Sequence, residues 1–286
     1  MPEKLSVACI QNCAGTDVEK NLLDLRAMIE TAHRAGAELI CLPEYGTCLG
    51  VDGTQFLVGD HPQDDHPALV FMADLANKIG VWILIGSIAV TAPGGKVVNR
   101  SVMLNDKGEI VTHYDKIHLF DVDLPNGETY RESATIRPGN RAVVADTPWG
   151  GIGMTVCYDV RFPKLYRSLA NGGAGMITVP AAFTRTTGEG HWHVLLRSRA
   201  IETGCFIIAP CQTGQHGLSE SYGHSLIIDP WGTILADQGR EPGIASATLD
   251  LSQIDKCRSM IPSLQHDRPY HEVEEGRTKD ATQAAE

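Results

Sequence analysis

The 286-residue chain has no apolar run approaching the ~20 residues of a membrane helix, no Cys-x-x-Cys pair and a shortage of cations. Without such a run the chain is not expected to span a membrane. Without paired cysteines, and with no secretory leader read at its start, the eight cysteines are unlike a disulfide framework or a zinc finger. Reduced thiols in a cytoplasmic protein are the expectation. Lys and Arg number 24 against 35 Asp and Glu, a formal charge of −11, which argues against nucleic acid and anionic membrane surfaces as partners. A metal centre is not expected either. His191 and His193 stand two residues apart on a predicted helix and face different sides, and no cysteine pair has zinc spacing. No cofactor is implied.

What the chain does contain is regular alternation of short apolar runs with helical periodicity, uninterrupted by a linker, which predicts one α/β domain over residues 1–272. The polar stretch 273–286 is expected to be a disordered tail. Strands are predicted at 5–10, 38–42, 81–90, 97–104, 109–114, 142–146, 151–157, 175–179, 205–211, 225–229, 233–236 and 244–250. Helices are predicted at 21–35, 67–79, 163–170, 191–203 (with Val194, Leu195, Ser198 and Ile201 inward) and 252–260. Residues 121–140 are rich in turn signals and read as a long loop, and 181–190 as another.

Three residues with chemical potential each follow a predicted strand: Glu44 after Pro43, Lys116, and Cys157. In α/β sheets ligands gather at the carboxyl ends of strands, so the three can converge. Cys157 precedes a helix opened by Pro163, where backbone N–H groups and the helix dipole favour a thiolate and an oxyanion. A thiol attacking an amide needs a base, an oxyanion donor and an acid for the leaving amine. Taken singly, each residue is equally well an inert core cysteine or a solvated charge.

In context they resemble the nitrilase superfamily, the carbon-nitrogen hydrolases with a Glu-Lys-Cys triad. Leu42-Pro43-Glu44 is similar to the family's glutamate motif, Tyr114-Asp115-Lys116-Ile117-His118-Leu119-Phe120 to its lysine motif, and Cys157-Tyr158-Asp159-Val160-Arg161-Phe162-Pro163 to its cysteine motif, in the family's order. Arg131-Glu132-Ser133 resembles the segment carrying an accessory glutamate. The resemblance implies a four-layer αββα sandwich, a homodimer or higher homo-oligomer, and amide hydrolysis through a thioester. Glu44 would act as general base, Cys157 as nucleophile, Lys116 as oxyanion stabiliser and Glu132 as an orienting carboxylate.

Leu195-Leu196-Arg197-Ser198-Arg199-Ala200-Ile201-Glu202-Thr203 and Ser221-Tyr222-Gly223-His224-Ser225 are similar to the Nit branch, which contains deaminated glutathione amidases and ω-amidases. The substrate so implied is a small amide with a carboxylate end. Deaminated glutathione is expected first, with α-ketoglutaramate or an N-carbamoyl amino acid as alternatives. Arg161 would bind the carboxylate, with Phe183 and Thr187 walling the same end; an ion pair of Arg161 with Asp159 is the structural alternative.

Overall fold

A computed structural model of the chain describes residues 2–53 and 55–270. The expected tail at 273–286 lies outside the described residues. Two six-stranded sheets carry the fold. The first runs Gly243–Asp250, Lys4–Gln11, Leu39–Cys41, Trp82–Thr91, Val97–Leu104, Ile110–Asp115, and the second runs Val143–Thr147, Gly150–Met154, Ala174–Thr178, Phe206–Ala209, Leu226–Ile228, Ile234–Asp237. Three neighbouring strands at the middle of each sheet are parallel, and the outer pairings are antiparallel.

Strand periodicity explains the layering. In Lys4–Gln11, Leu5, Val7 and Cys9 join the core shared with the second sheet, whereas Ala8 and Ile10 face the helices. Leu39 and Cys41 divide from Ile40 and Leu42 in the same way. Because neighbouring side chains point to opposite faces, strands apolar on both faces need a cover on each. Helices α1 (Val18–Arg34) and α2 (Pro67–Ile79) cover the first sheet, and α3 (Pro163–Asn171) and α4 (Arg185–Thr203) the second; α5 is Ser252–Met260. The result is the expected helix–sheet–sheet–helix sandwich.

The helix termini follow their caps. Asp17 accepts a hydrogen bond from the Lys20 N–H at 3.0 Å to start α1, and Gly80, at φ 68°, ends α2 in the left-handed conformation. His66 caps α2 through Nδ1, which accepts from the Ala68 N–H at 3.3 Å. Burial, with His61 adding repulsion, lowers the His66 pKa from 6.5 to about 4. The sign follows: the unfolded chain takes up this proton first, so the contribution is full above pH 6.5 and is lost as pH falls through about 4. Replacing His66 with Asn keeps a cap acceptor but removes the titration. In thermal melts between pH 7 and 4 the variant should therefore lose less stability than the parent, and equal losses would contradict the assignment.

Two expectations need correction. Helix α4 starts at Arg185, not 191, and its inward face is Gly188, Trp192, Leu196, Arg199, Ala200 and Thr203. Val194 and Ile201, expected inward, are 64% and 52% exposed. The helix carries two apolar stripes. Trp192, whose Nε1 donates to the His224 carbonyl at 2.8 Å, selects the stripe that packs inward. The second correction concerns 121–140, which holds a hairpin (Asp121–Asp123 with Thr129–Arg131) and a 3-10 turn at Glu132–Ala134. Hairpins at Gly50–Asp52/Gln55–Leu57 and Thr213–His216/Ser219–Tyr222 went unforeseen. Their short polar strands carry little periodicity, yet all three hairpins help to wall the site.

Candidate active site

Glu44 lies three residues beyond Leu39–Cys41, where the chain passes close over the neighbouring strand Trp82–Thr91. That strand carries a bulge between Ile85 and Ile88, and a Cβ at Gly86 would collide with the Leu42 and Pro43 carbonyls. Glycine is needed for this approach, and bulges of this kind re-aim side chains beside sites. Ser87, inside the bulge, accepts from the Tyr45 N–H at 3.1 Å.

Lys116 follows Ile110–Asp115 at the edge of the same sheet, and Cys157 opens the 3-10 turn Cys157–Arg161 between Gly150–Met154 and α3 in the other sheet. Cys157 has φ +50°, a conformation non-glycine residues avoid, and its N–H donates to the Pro180 carbonyl at 2.8 Å. Strain of this sort persists only where surrounding contacts over-determine it.

The side chains converge in a buried site. Lys116 Nζ donates to Glu44 Oε1 at 2.9 Å and to Glu132 Oε1 and Oε2 at 3.1 and 2.9 Å. The Ala182 N–H donates to Glu44 Oε2 at 2.9 Å, and the Phe120 N–H to Glu132 Oε2 at 2.6 Å. Cys157 lines the same pocket as Glu44, Lys116 and Glu132, close enough for the Glu44 carboxyl to act on its thiol. Glu44, Lys116 and Glu132 are each at most 3% exposed, and Cys157 8%.

Two carboxyl groups share one ammonium beside the thiol. Burial alone would lower the Lys116 ammonium, but Glu132 and Glu44 outweigh it and hold it well above the usual lysine range. Burial raises Glu132 against the pull of Lys116, with Glu44 adding to the rise. Burial, then Glu44, pushes the Cys157 thiol well up. This corrects the expected thiolate at a helix N-terminus. The dipole effect of one short turn is smaller than the cost of ionising a buried thiol against a carboxylate. The resting Cys157 is a thiol with the Glu44 carboxyl group beside it.

These groups open into a pocket of ≈ 540 Å³ including its mouth, which Phe183 and Thr187 also line. Its walls are largely apolar, with Leu49, Val51, Phe56, Phe120 and Tyr158 among them. Arg161 stands outside that lining. Its guanidinium carbon lies 5.5 Å from the Phe183 ring centre and 5.8 Å from that of Tyr158, and Nη2 is 3.2 Å from His191 Nδ1. The alternative ion pair with Asp159 does not form. Asp159 is fully buried and already accepts from the Tyr114 hydroxyl at 2.7 Å and the Val156 and His118 N–H groups at 2.8 and 3.1 Å. Among the described residues Arg161 makes no ion pair.

Sequence reasoning passed over Asn99, whose Nδ2 donates to Glu44 Oε1 at 2.9 Å and to Glu132 Oε1 at 3.3 Å, tying the carboxylates together. The signal was present: an asparagine inside a largely buried strand fits poorly there without a polar partner. Away from the pocket, His193, His224 and Asp237 bring three potential ligand atoms within 4.8 Å of one another. Each ring already hydrogen-bonds to the Asp237 carboxylate, at 3.2 and 2.9 Å, which accounts for the grouping without an ion. Among the described residues no helix is long and apolar enough to cross a membrane.

The chain matches the carbon-nitrogen hydrolase family model over residues 6–259. It is 40% identical to a deaminated glutathione amidase of Synechocystis sp., across 91% of this chain and 96% of the relative. Among solved structures it resembles the C. elegans NitFhit protein, with TM-score 0.84 and 33% identity, covering 93% of this chain and 65% of that one. It also resembles Saccharomyces cerevisiae Nit3, a member of branch 10 of the nitrilase superfamily, with TM-score 0.82 and 30% identity over 92% of this chain and 96% of that one.

Proposed function

The chain belongs to the carbon-nitrogen hydrolase family, as a hydrolase of carbon-nitrogen bonds other than peptide bonds, and from that premise we propose that Glu44, Lys116 and Cys157 cleave a linear amide through a thioester. Deaminated glutathione is the proposed substrate, following the named activity of the Synechocystis relative, with release of 2-oxoglutarate and Cys-Gly. The observation that carries the reading is the convergence of Cys157 with the hydrogen-bonded cluster of Glu44, Lys116 and Glu132 in the lining of one pocket.

The chemistry follows from who holds the proton. As Cys157 Sγ attacks the amide carbon, its proton passes to Glu44, so no free thiolate needs to be buried. The carbonyl oxygen gains the negative charge. Lys116 and the Tyr158 N–H, next to Cys157 at the start of the 3-10 turn, stabilise it. Glu44 then returns the proton to the departing amine as the carbon–nitrogen bond breaks, leaving the acyl group on sulfur. A water attacks the thioester with Glu44 again taking its proton, and the carboxylic acid leaves as the thiol is restored. Glu132 and Asn99 hold Lys116 and Glu44 in register throughout.

Arg161 is proposed to bind the acid end of the acyl group. It is a cation unpaired by any carboxylate among the described residues, lying over two pocket-wall rings, and a planar guanidinium matches a carboxylate in two-point geometry. Arg161→Lys should lower kcat/KM for acid-ended amides by roughly 10- to 100-fold, a charged hydrogen bond being worth ~1.5–3 kcal/mol, while neutral amides of the same length lose much less. Equal losses on both would make Arg161 a structural residue. Comparing deaminated glutathione, α-ketoglutaramate and N-carbamoyl amino acids by kcat/KM tests the substrate directly; preference for either of the latter two would displace the reading.

A homodimer is proposed as the working unit. Val194 and Ile201 form an exposed stripe along α4, and Trp231, 54% exposed, adds to the apolar surface beyond it. Light scattering at micromolar concentration should report twice the chain mass.

A further inference from the structure

Two pocket-lining side chains have no hydrogen-bond partner although both are 2% exposed: the Tyr45 hydroxyl and His216 Nε2. Buried polar groups are almost always paired, and an unpaired one costs stability unless something else repays it. Four other polar side chains of the pocket are already engaged with each other. Tyr130 and Ser219 share a hydrogen bond at 2.7 Å, and Thr184 and Thr187 one at 2.8 Å.

The chemistry of each orphan is settled by its other contacts. His216 Nδ1 lies 2.8 Å from the Ala14 carbonyl, which can only accept, so Nδ1 carries the hydrogen. Burial lowers the His216 pKa, which keeps the ring neutral. Nε2 is therefore a bare acceptor and calls for an N–H or O–H. Burial, with Glu132 and Glu44 beside it, raises the Tyr45 phenol, which stays protonated with its hydrogen unspent. The nearby Glu44 and Glu132 already accept from Lys116, Asn99 and backbone N–H groups, and neither accepts from Tyr45, so a bound molecule is left to supply its acceptor.

The Tyr45 backbone is pinned for this task. Its φ of +51° is strained, its N–H donates to Ser87 Oγ, and Gln212 Nε2 donates to its carbonyl at 3.0 Å. His216 comes from the hairpin Thr213–His216/Ser219–Tyr222, and its Nδ1 donates to the Ala14 carbonyl. The pocket thus holds one spare donor and one spare acceptor on different elements of its wall. A carboxylate could use only the first, whereas an amide carries both an N–H and a C=O.

We propose that Tyr45 and His216 form a donor–acceptor subsite that selects amides whose leaving amine itself carries a peptide bond, as a dipeptide does, over primary amides of the same acyl group. The assignment rests on the amidase reading above and extends it from the acyl end to the leaving group. Primary amides, which release only ammonia, leave both groups unpaired. A site built to hydrogen-bond a group discriminates strongly against substrates lacking it.

Two variants test this. Tyr45→Phe deletes only the unpaired hydroxyl, so its Tm should be unchanged or higher. His216→Asn places an amide N–H where Nδ1 was, keeping the bond to the Ala14 carbonyl, and deletes the acceptor. Each should lower kcat/KM for deaminated glutathione by roughly 10- to 100-fold and leave that for α-ketoglutaramate within about threefold. Calorimetric titration of the product Cys-Gly into the unaltered protein and the two variants gives a readout independent of turnover, and both variants should bind it more weakly. Equal losses on the two amides, a drop in Tm with Tyr45→Phe, or unchanged Cys-Gly binding would each overturn the subsite. If the unaltered protein hydrolyses neither amide yet binds Cys-Gly in a Tyr45- and His216-dependent way, the amidase reading fails and the subsite stands.

Discussion

Cys157→Ala should lose turnover by about 10,000-fold or more and melt within a few degrees of the parent protein, because groups acting as one unit lose nearly all their advantage when the nucleophile is removed. The fold has little reason to object. Alanine meets the same φ of +50° with the same Cβ, and the Cys157 N–H to Pro180 bond is a backbone bond that the substitution spares. Cys157→Ser should fail similarly, since a hydroxyl ionises with more difficulty than a thiol in the same buried, carboxylate-flanked position. Mass spectrometry of the intact protein, quenched during turnover, should find the acyl adduct on the parent and not on Cys157→Ala. Residual activity above a tenth of the parent, or an adduct on another cysteine, would end the covalent reading.

The same environment governs the thiol's general reactivity. A thiol held up by burial and by Glu44 has little thiolate to offer a passing oxidant or alkylator. Fast, indiscriminate modification, which a helix-activated thiolate would show, is not expected.

Replacing Lys116 with Met should abolish most activity and also destabilise the protein by about 3–5 kcal/mol, the usual cost of removing one partner from a buried ion pair. At roughly 2–4 °C per kcal/mol for a chain of this size class, Tm should fall by roughly 10 °C. Methionine fills the space but leaves Glu44 and Glu132 facing each other across the amide of Asn99. The pH dependence identifies the cause. Glu132, already raised by burial, should rise further once its cation is gone. A carboxyl with a raised folded-state pKa gives stability below its unfolded value that is lost as pH rises through the folded one. The deficit of Lys116→Met should therefore be smaller near pH 4 than at pH 7. A deficit independent of pH, or a variant as stable as the parent at pH 7, would show that Lys116 is not the counter-ion of this cluster.

Much of this protein was legible from its chain alone, and the reason is periodicity. Strands such as Lys4–Gln11 carry apolar residues on both faces because both faces are covered, and α2 and α5 were found to the residue by their apolar spacing, with Pro67 and Gly80 marking the ends of α2. Glu44, Lys116 and Cys157 were visible because each interrupts the pattern just after a strand. Whether they meet was beyond the chain's own order. Glu44 and Lys116 come from one sheet and Cys157 from the other, so only the packing of the two sheets brings the thiol to the carboxylate. Packing also decided which stripe of α4 turned inward, since Val194 and Ile201 are as apolar as the residues that did. It moved the Cys157 proton as well. The sequence predicted a thiolate from a helix end, but burial and a neighbouring carboxylate, both products of the tertiary fold, outweigh a dipole that a single turn supplies. Local sequence determined the elements and the chemical types at their ends. Desolvation, helix phase and the meeting of distant side chains are long-range quantities, and the tertiary structure set them.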